Sequence, residues 1–193
     1  MDVTVVVQDT RATDVSAAGE VIRERSSAEP IPAPRGEAMA LSSFLTAKGI
    51  LIWDMALKKD DLLRELTDAA LRSAGYPQDP RYLDAVRERE SQGSTFFNEG
   101  AAFPHARISG LGRACVALGL TRAGVSDVVT DKPIECVFLI LSPEEDPDTQ
   151  IRVLGLAGRS GQDRQLMEKL RSAASPEDAF DALRAWELIQ EGG

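Results

Sequence analysis

Residues 88–107 run Glu88-Arg89-Glu90-Ser91-Gln92-Gly93-Ser94-Thr95-Phe96-Phe97-Asn98-Glu99-Gly100-Ala101-Ala102-Phe103-Pro104-His105-Ala106-Arg107. A helix ends near Gly93, and a small, polar, glycine-containing loop follows it. An apolar pair, Ala102-Phe103, then leads into Pro104-His105. Pro104 stiffens the backbone just before the histidine and removes a donor there. His105 is the only histidine in the chain. Neutral imidazole is nucleophilic near neutral pH, so a histidine can accept a phosphoryl group and pass it on. Such transfer asks the protein for in-line positioning and for compensation of charge on the phosphoryl oxygens. Arg89 and Arg107 can supply that charge, since arginine binds phosphate bidentately. Backbone N–H groups and the hydroxyls of Ser94 and Thr95 can supply further donors. Taken alone, the pattern also fits a hydrogen-bonded histidine at a strand end flanked by two solvated surface charges.

Outward from this stretch the chain alternates strands and helices. Ile50 to Trp53 reads as a short strand. Lys58 to Ser73 reads as a helix, with Leu62, Leu63, Leu66, Ala69 and Ala70 at helical spacing and Gly75 as its stop. Asp79-Pro80 opens the next helix as N-cap and first helical residue, with Tyr82, Leu83 and Val86 inward. Ala114 to Leu120 and Ile134 to Leu141 read as strands. The second is a near-continuous apolar run, which suits a strand covered on both faces. Asp146-Pro147 opens a helix to about Gly158, and Gln162 to Ala173 is helical again. Ser175-Pro176 caps a last helix that buries Phe180, Leu183 and Trp186. Strands separated by helices imply an α/β layered domain.

That domain begins near Met39. Before it, Asp2 to Gln8 reads as an isolated valine strand and Val15 to Arg25 as a short helix, too small a pair to bury a core. Ser26 to Arg35, with Pro30, Pro32 and Pro34 alternating, reads as a semi-rigid linker. The expected division is an appendage over residues 1–38 and a main domain over 39–193.

The 193 residues carry a formal net charge of -9, from 31 acidic and 22 basic side chains. That balance argues against a nucleic-acid partner and against attachment to anionic lipid. The longest apolar run, Val137 to Leu141, is far short of the about 20 residues that span a bilayer, so no direct membrane insertion is expected. The N-terminus lacks the basic start of a signal peptide. Cys115 and Cys136 read as reduced, buried thiols of a cytoplasmic protein. One histidine and two separated cysteines make no structural zinc site, and neither metal nor cofactor is expected.

The order Arg89-Glu90, Gly93-Ser94-Thr95, Gly100, Ala102, Pro104-His105 and Arg107 resembles the signature of the type 2 IIA domain of the sugar phosphotransferase system, the fructose/mannitol/nitrogen type. That signature runs R-E, G-S-T, then G-x-A-x-P-H with a small residue and often Arg after it. Cys136 to Ser142, the Pro143-Glu144-Glu145 that follows and the helix before the motif also look like the family, so the resemblance covers about Met39 to Trp186. It implies a mixed β-sheet flanked by helices, the IIA mannitol/fructose-type fold. It implies a phosphocarrier that accepts phosphate from an HPr-type carrier on His105, supported by Arg89, and passes it to a IIB domain or signals with it.

Two departures bear on activity. Glu99 stands where relatives are glycine-rich, and its charge opposes phosphorylation unless it points away. Gln150 stands in the region where the family usually carries a second active-site histidine, and an amide donates a hydrogen bond without carrying charge. The departures bear against efficient sugar transport, and the alternative, which the appendage and proline linker favour, is a non-transferring regulatory binding module, associated with a membrane transporter or another partner.

Overall fold

The computed structural model describes residues 39–96 and 100–191. Its elements run β1 (Ile50–Trp53), α1 (Lys59–Ala74), α2 (Pro80–Ser91), β2 (Ala101–Ala102), β3 (His105–Ile108), β4 (Cys115–Thr121), β5 (Cys136–Pro143), α3 (Pro147–Gln162), α4 (Arg164–Ser172) and α5 (Pro176–Glu191). The sheet is mixed, as expected. β1 is parallel to β4, β4 is antiparallel to β5, and β2 and β3 both run parallel to β5 along its other edge.

β5 is buried along its whole length because helices cover both faces of the sheet. Its side chains alternate between two cores, as the two-residue period of a strand requires. Val137, Leu139 and Leu141 pack with Leu62, Leu63 and Leu66 of α1 and Tyr82 and Val86 of α2. Cys136, Phe138 and Ile140 pack with Val153 and Ala157 of α3, Leu166 and Leu170 of α4 and Leu183 of α5. The helix signals act as the sequence suggests. Gly75 takes the left-handed conformation, φ 78°, and closes α1. Asp79 accepts the Arg81 N–H at the start of α2, with Pro80 behind it.

Several details differ from the expectation. β2 and β3 are short strands to which the sequence pattern assigns no element of their own. α3 continues to Gln162, past three glycines, because it is pressed against the sheet there: a Cβ on Gly161 would sit 2.7 Å from Phe103 Cζ. Leu183 is buried, whereas Phe180 and Trp186 are only partly covered. Trp186 keeps its indole N–H on the Asp163 carboxylate at 2.8 Å, which requires a rim position. Leu83 is likewise only partly buried.

Cys115 and Cys136 are unpaired and buried, and burial pushes both thiols up to about 12. No described helix is long and apolar enough to cross a membrane. The valine strand, the short helix, the proline linker and Glu99 lie outside the described residues.

Candidate active site

His105 opens β3, and α2 packs against that strand. The alternation of β3 buries Ala106 and Ile108 and turns His105 and Arg107 toward the rim. The imidazole is half-buried and held at both nitrogens. Nδ1 lies 2.9 Å from the Phe103 carbonyl. A carbonyl only accepts, so Nδ1 carries the proton and Nε2 presents its lone pair. Arg89, in the last turn of α2, donates from Nε to that Nε2 at 3.2 Å and from Nη1 to the Gly93 carbonyl at 3.1 Å. Burial lowers the His105 pKa below its ordinary 6.5; the Phe103 carbonyl and Glu90 oppose the shift, and the Arg89 and Arg107 charges reinforce it. The ring is therefore neutral at physiological pH.

A cavity of about 250 Å³ opens beside the ring, and Glu88, Arg89, Gln92, Arg107 and Gln150 share its wall with His105. Four of the six residues singled out from sequence thus meet in one place: His105, Arg89, Arg107 and Gln150. Gln150 comes from the beginning of α3 and is buried. It lies where an amide can reach into the cavity, and α3 adds no charge of its own to this wall.

Ser94 and Thr95 are placed differently. Neither lines the cavity, and both hydroxyls donate to the Glu90 carboxylate, Ser94 Oγ at 2.7 Å and Thr95 Oγ1 at 2.6 Å. The Thr95 backbone N–H donates to the same carboxylate at 2.9 Å, and Lys59 Nζ of α1 pairs with it at 2.8 Å. Burial pushes the Glu90 carboxyl up, but the hydrogen bonds from Lys59, Thr95 and Ser94 together outweigh it and hold the pKa below the ordinary 4.5. Sequence reasoning had quoted Glu90 only as half of the Arg89-Glu90 pair. The signal for its role was available: a glutamate in the last turn of a helix opposes the helix dipole, and two hydroxyl residues follow it four and five positions on.

Among the described residues no group of three or more His, Cys, Asp or Glu side chains is placed to hold a metal ion. The cavity instead joins one neutral nucleophilic nitrogen to two arginines, a combination suited to a phosphoryl group.

The chain matches the family model for the phosphoenolpyruvate-dependent sugar phosphotransferase system, EIIA 2, over residues 43–186. It is similar to a fructose-specific EIIA component of the phosphotransferase system from Haloferax volcanii, 29% identical over 126 residues, which cover 65% of this chain and 82% of that one. Among solved structures it is similar to the nitrogen regulatory protein IIA-Ntr from Neisseria meningitidis, with a TM-score of 0.65 and 26% identity over 74% of this chain and 98% of the other. Its fold is also shared by a chain of the complex of enzyme IIA mannitol with phosphorylated enzyme IIB mannitol from Escherichia coli, with a TM-score of 0.60 and 20% identity over 73% of this chain and 97% of that one. The sequence signature, the mixed sheet and these matches agree: the chain belongs to the type 2 EIIA family of the phosphoenolpyruvate-dependent sugar phosphotransferase system.

Proposed function

We propose that His105 accepts a phosphoryl group on Nε2 from an HPr-type carrier protein, or its nitrogen-branch counterpart, and hands it to a IIB domain or holds it as a regulatory signal. The observation that carries this reading is the pair of hydrogen bonds on the imidazole. With Nδ1–H committed to the Phe103 carbonyl, Nε2 is the nitrogen left with a lone pair, and the ring borders a cavity that two arginines also line. In the transfer, the Nε2 lone pair forms the new N–P bond while the donor's N–P bond breaks and its electron pair returns to the donor ring. Arg89 must then turn from Nε2 to the phosphoryl oxygens, and its second bond to Gly93 keeps the guanidinium close while it does so. Arg107 supplies a second cation at the same wall. Ser94 and Thr95 act at one remove in this reading, holding the loop through Glu90. A domain that meets such carriers works in the cytoplasm. Residues 39–193 form its working unit, with residues 1–38 as an appendage.

Gln150 favours a second reading, a binding module that signals without efficient transfer, because it puts a neutral amide at the cavity wall. Incubation with phosphoenolpyruvate, enzyme I and each carrier in turn, followed by intact mass, separates the two. Transfer predicts a gain of one phosphoryl group that acid removes and alkali spares, absent from His105→Ala. A folded wild-type protein that gains none from either carrier would make the signalling module the better account.

A further inference from the structure

Both bonds that orient the His105 ring trace back to one short loop, and one buried carboxylate fastens that loop. The Gly93 carbonyl holds Arg89, which donates to Nε2. The Thr95 carbonyl accepts the Phe103 N–H at 3.4 Å, and the Phe103 carbonyl accepts Nδ1–H. Between these two anchor points, Ser94 Oγ, Thr95 Oγ1 and Thr95 N–H all end on Glu90. Glu90 is itself tied to α1 by Lys59, whose ammonium also lies 5.2 Å from the centre of the Phe96 ring. A carboxylate that accepts this many donors is fixed in place, and it fixes what donates to it.

We propose that the Lys59–Glu90 pair is a positioning device for phosphoryl transfer, clamping residues 93–95 so that Arg89 and the Phe103 carbonyl hold the imidazole in its Nδ1–H form with Nε2 toward the cavity. Glu90 and Lys59 do not touch the reacting nitrogen; they act through the loop. The proposal rests on the reading of His105 as the phosphoryl acceptor, but it has a consequence that needs no phosphate. His105 is the sole histidine, so its ring can be followed alone by nitrogen NMR of the histidine-labelled full chain.

The direction of the change separates a clamp from a simple charge. The charged groups that bear on the ring are Arg89, Glu88 and Glu90 of α2 and Arg107 of β3, while α3 contributes the neutral Gln150. If Glu90 acted only through its negative charge, Glu90→Ala would lower the His105 pKa further. Losing the clamp does the opposite: Arg89 swings away, water enters, and the pKa rises toward 6.5. Thr95→Val keeps the Glu90 charge and removes one hydroxyl from the clamp, so it also serves where Glu90→Ala fails to fold. The expected result is an upward shift of the His105 pKa and mixed ring tautomers in both variants, smaller in Thr95→Val, with phosphoryl uptake reduced by roughly tenfold to a hundredfold. A pKa that falls or stays put, with the Nδ1–H form intact, overturns the clamp. Wild-type protein that titrates as expected but takes up no phosphate would refute the acceptor role and leave the clamp standing.

Discussion

Strands β3 and β5 lie side by side in one sheet, with His105 opposite Ile140, and they share almost nothing else. All eight residues of β5 are buried, and they are apolar apart from Ser142, one residue before its end. β3 has four residues, of which two point inward and two face the rim. The interior strand provides a rigid, doubly covered reference, and the edge strand hangs one imidazole from it. A half-buried edge suits a phosphocarrier. The ring must be dry enough to stay neutral and open enough for another protein's phosphohistidine to reach it.

This contrast predicts that stability and chemistry separate between the two strands. The largest effect on folding should come from β5. Leu139→Ala empties space against α1 and should cost about 2–5 kcal/mol of stability, read as a lowered denaturation midpoint, with the surviving folded fraction still able to take up phosphate. Arg89→Ala should show the reverse. Uptake should fall roughly a hundredfold, while stability changes by less than about 1 kcal/mol, because this partly solvated guanidinium at the rim contributes little to folding. A large loss of stability with unchanged uptake would make Arg89 structural and remove the contrast.

Acidity should sharpen it. The folded pKa of His105 is lowered below 6.5, so the neutral nucleophile persists as pH falls to about that value and is lost only through the lower folded pKa. Uptake should therefore hold nearly level from about pH 7.5 to pH 6.5 and drop below it. Because the unfolded chain takes the proton first, the His105 contribution to stability is present above 6.5 and fades as pH falls through the folded pKa. Glu90 behaves likewise one window lower: its contribution is present above 4.5 and is lost as pH falls through its own lowered folded pKa. His105→Ala should erase the upper window from the stability profile and leave the lower one. The smallest effect is expected from Gln150→His. An ionisable group at the cavity wall should speed uptake a few-fold, more below pH 6.5 than above it.

The two strands also differ in how readily the sequence disclosed them. β5 announces itself as an unbroken apolar run, and the helices as spaced leucines between caps. β3 carries no such period. Pro104 precedes it, and His105 and Arg107 occupy its outward positions, so polar chemistry hides the alternation that Ala106 and Ile108 alone would show. β2 has only two alanines, too little side chain to mark a face. The motif put His105, Arg89 and Arg107 together through their spacing, and the family resemblance alone added Gln150 from the start of α3. It did not assign Ser94 and Thr95 to Glu90, since which acceptor a hydroxyl finds depends on where the packing of α1 on α2 brings Lys59, a residue far from Glu90 in the chain.

The most direct test of the central claim is the atom that carries the phosphorus. After phosphorylation by enzyme I and an HPr-type carrier, nitrogen–phosphorus coupling in the NMR spectrum of the histidine-labelled protein identifies the bonded ring nitrogen. The account predicts a single phosphorylated species with the N–P bond at Nε2 of His105. Attachment at Nδ1, or a folded protein that acquires no phosphorus from any carrier, would contradict it.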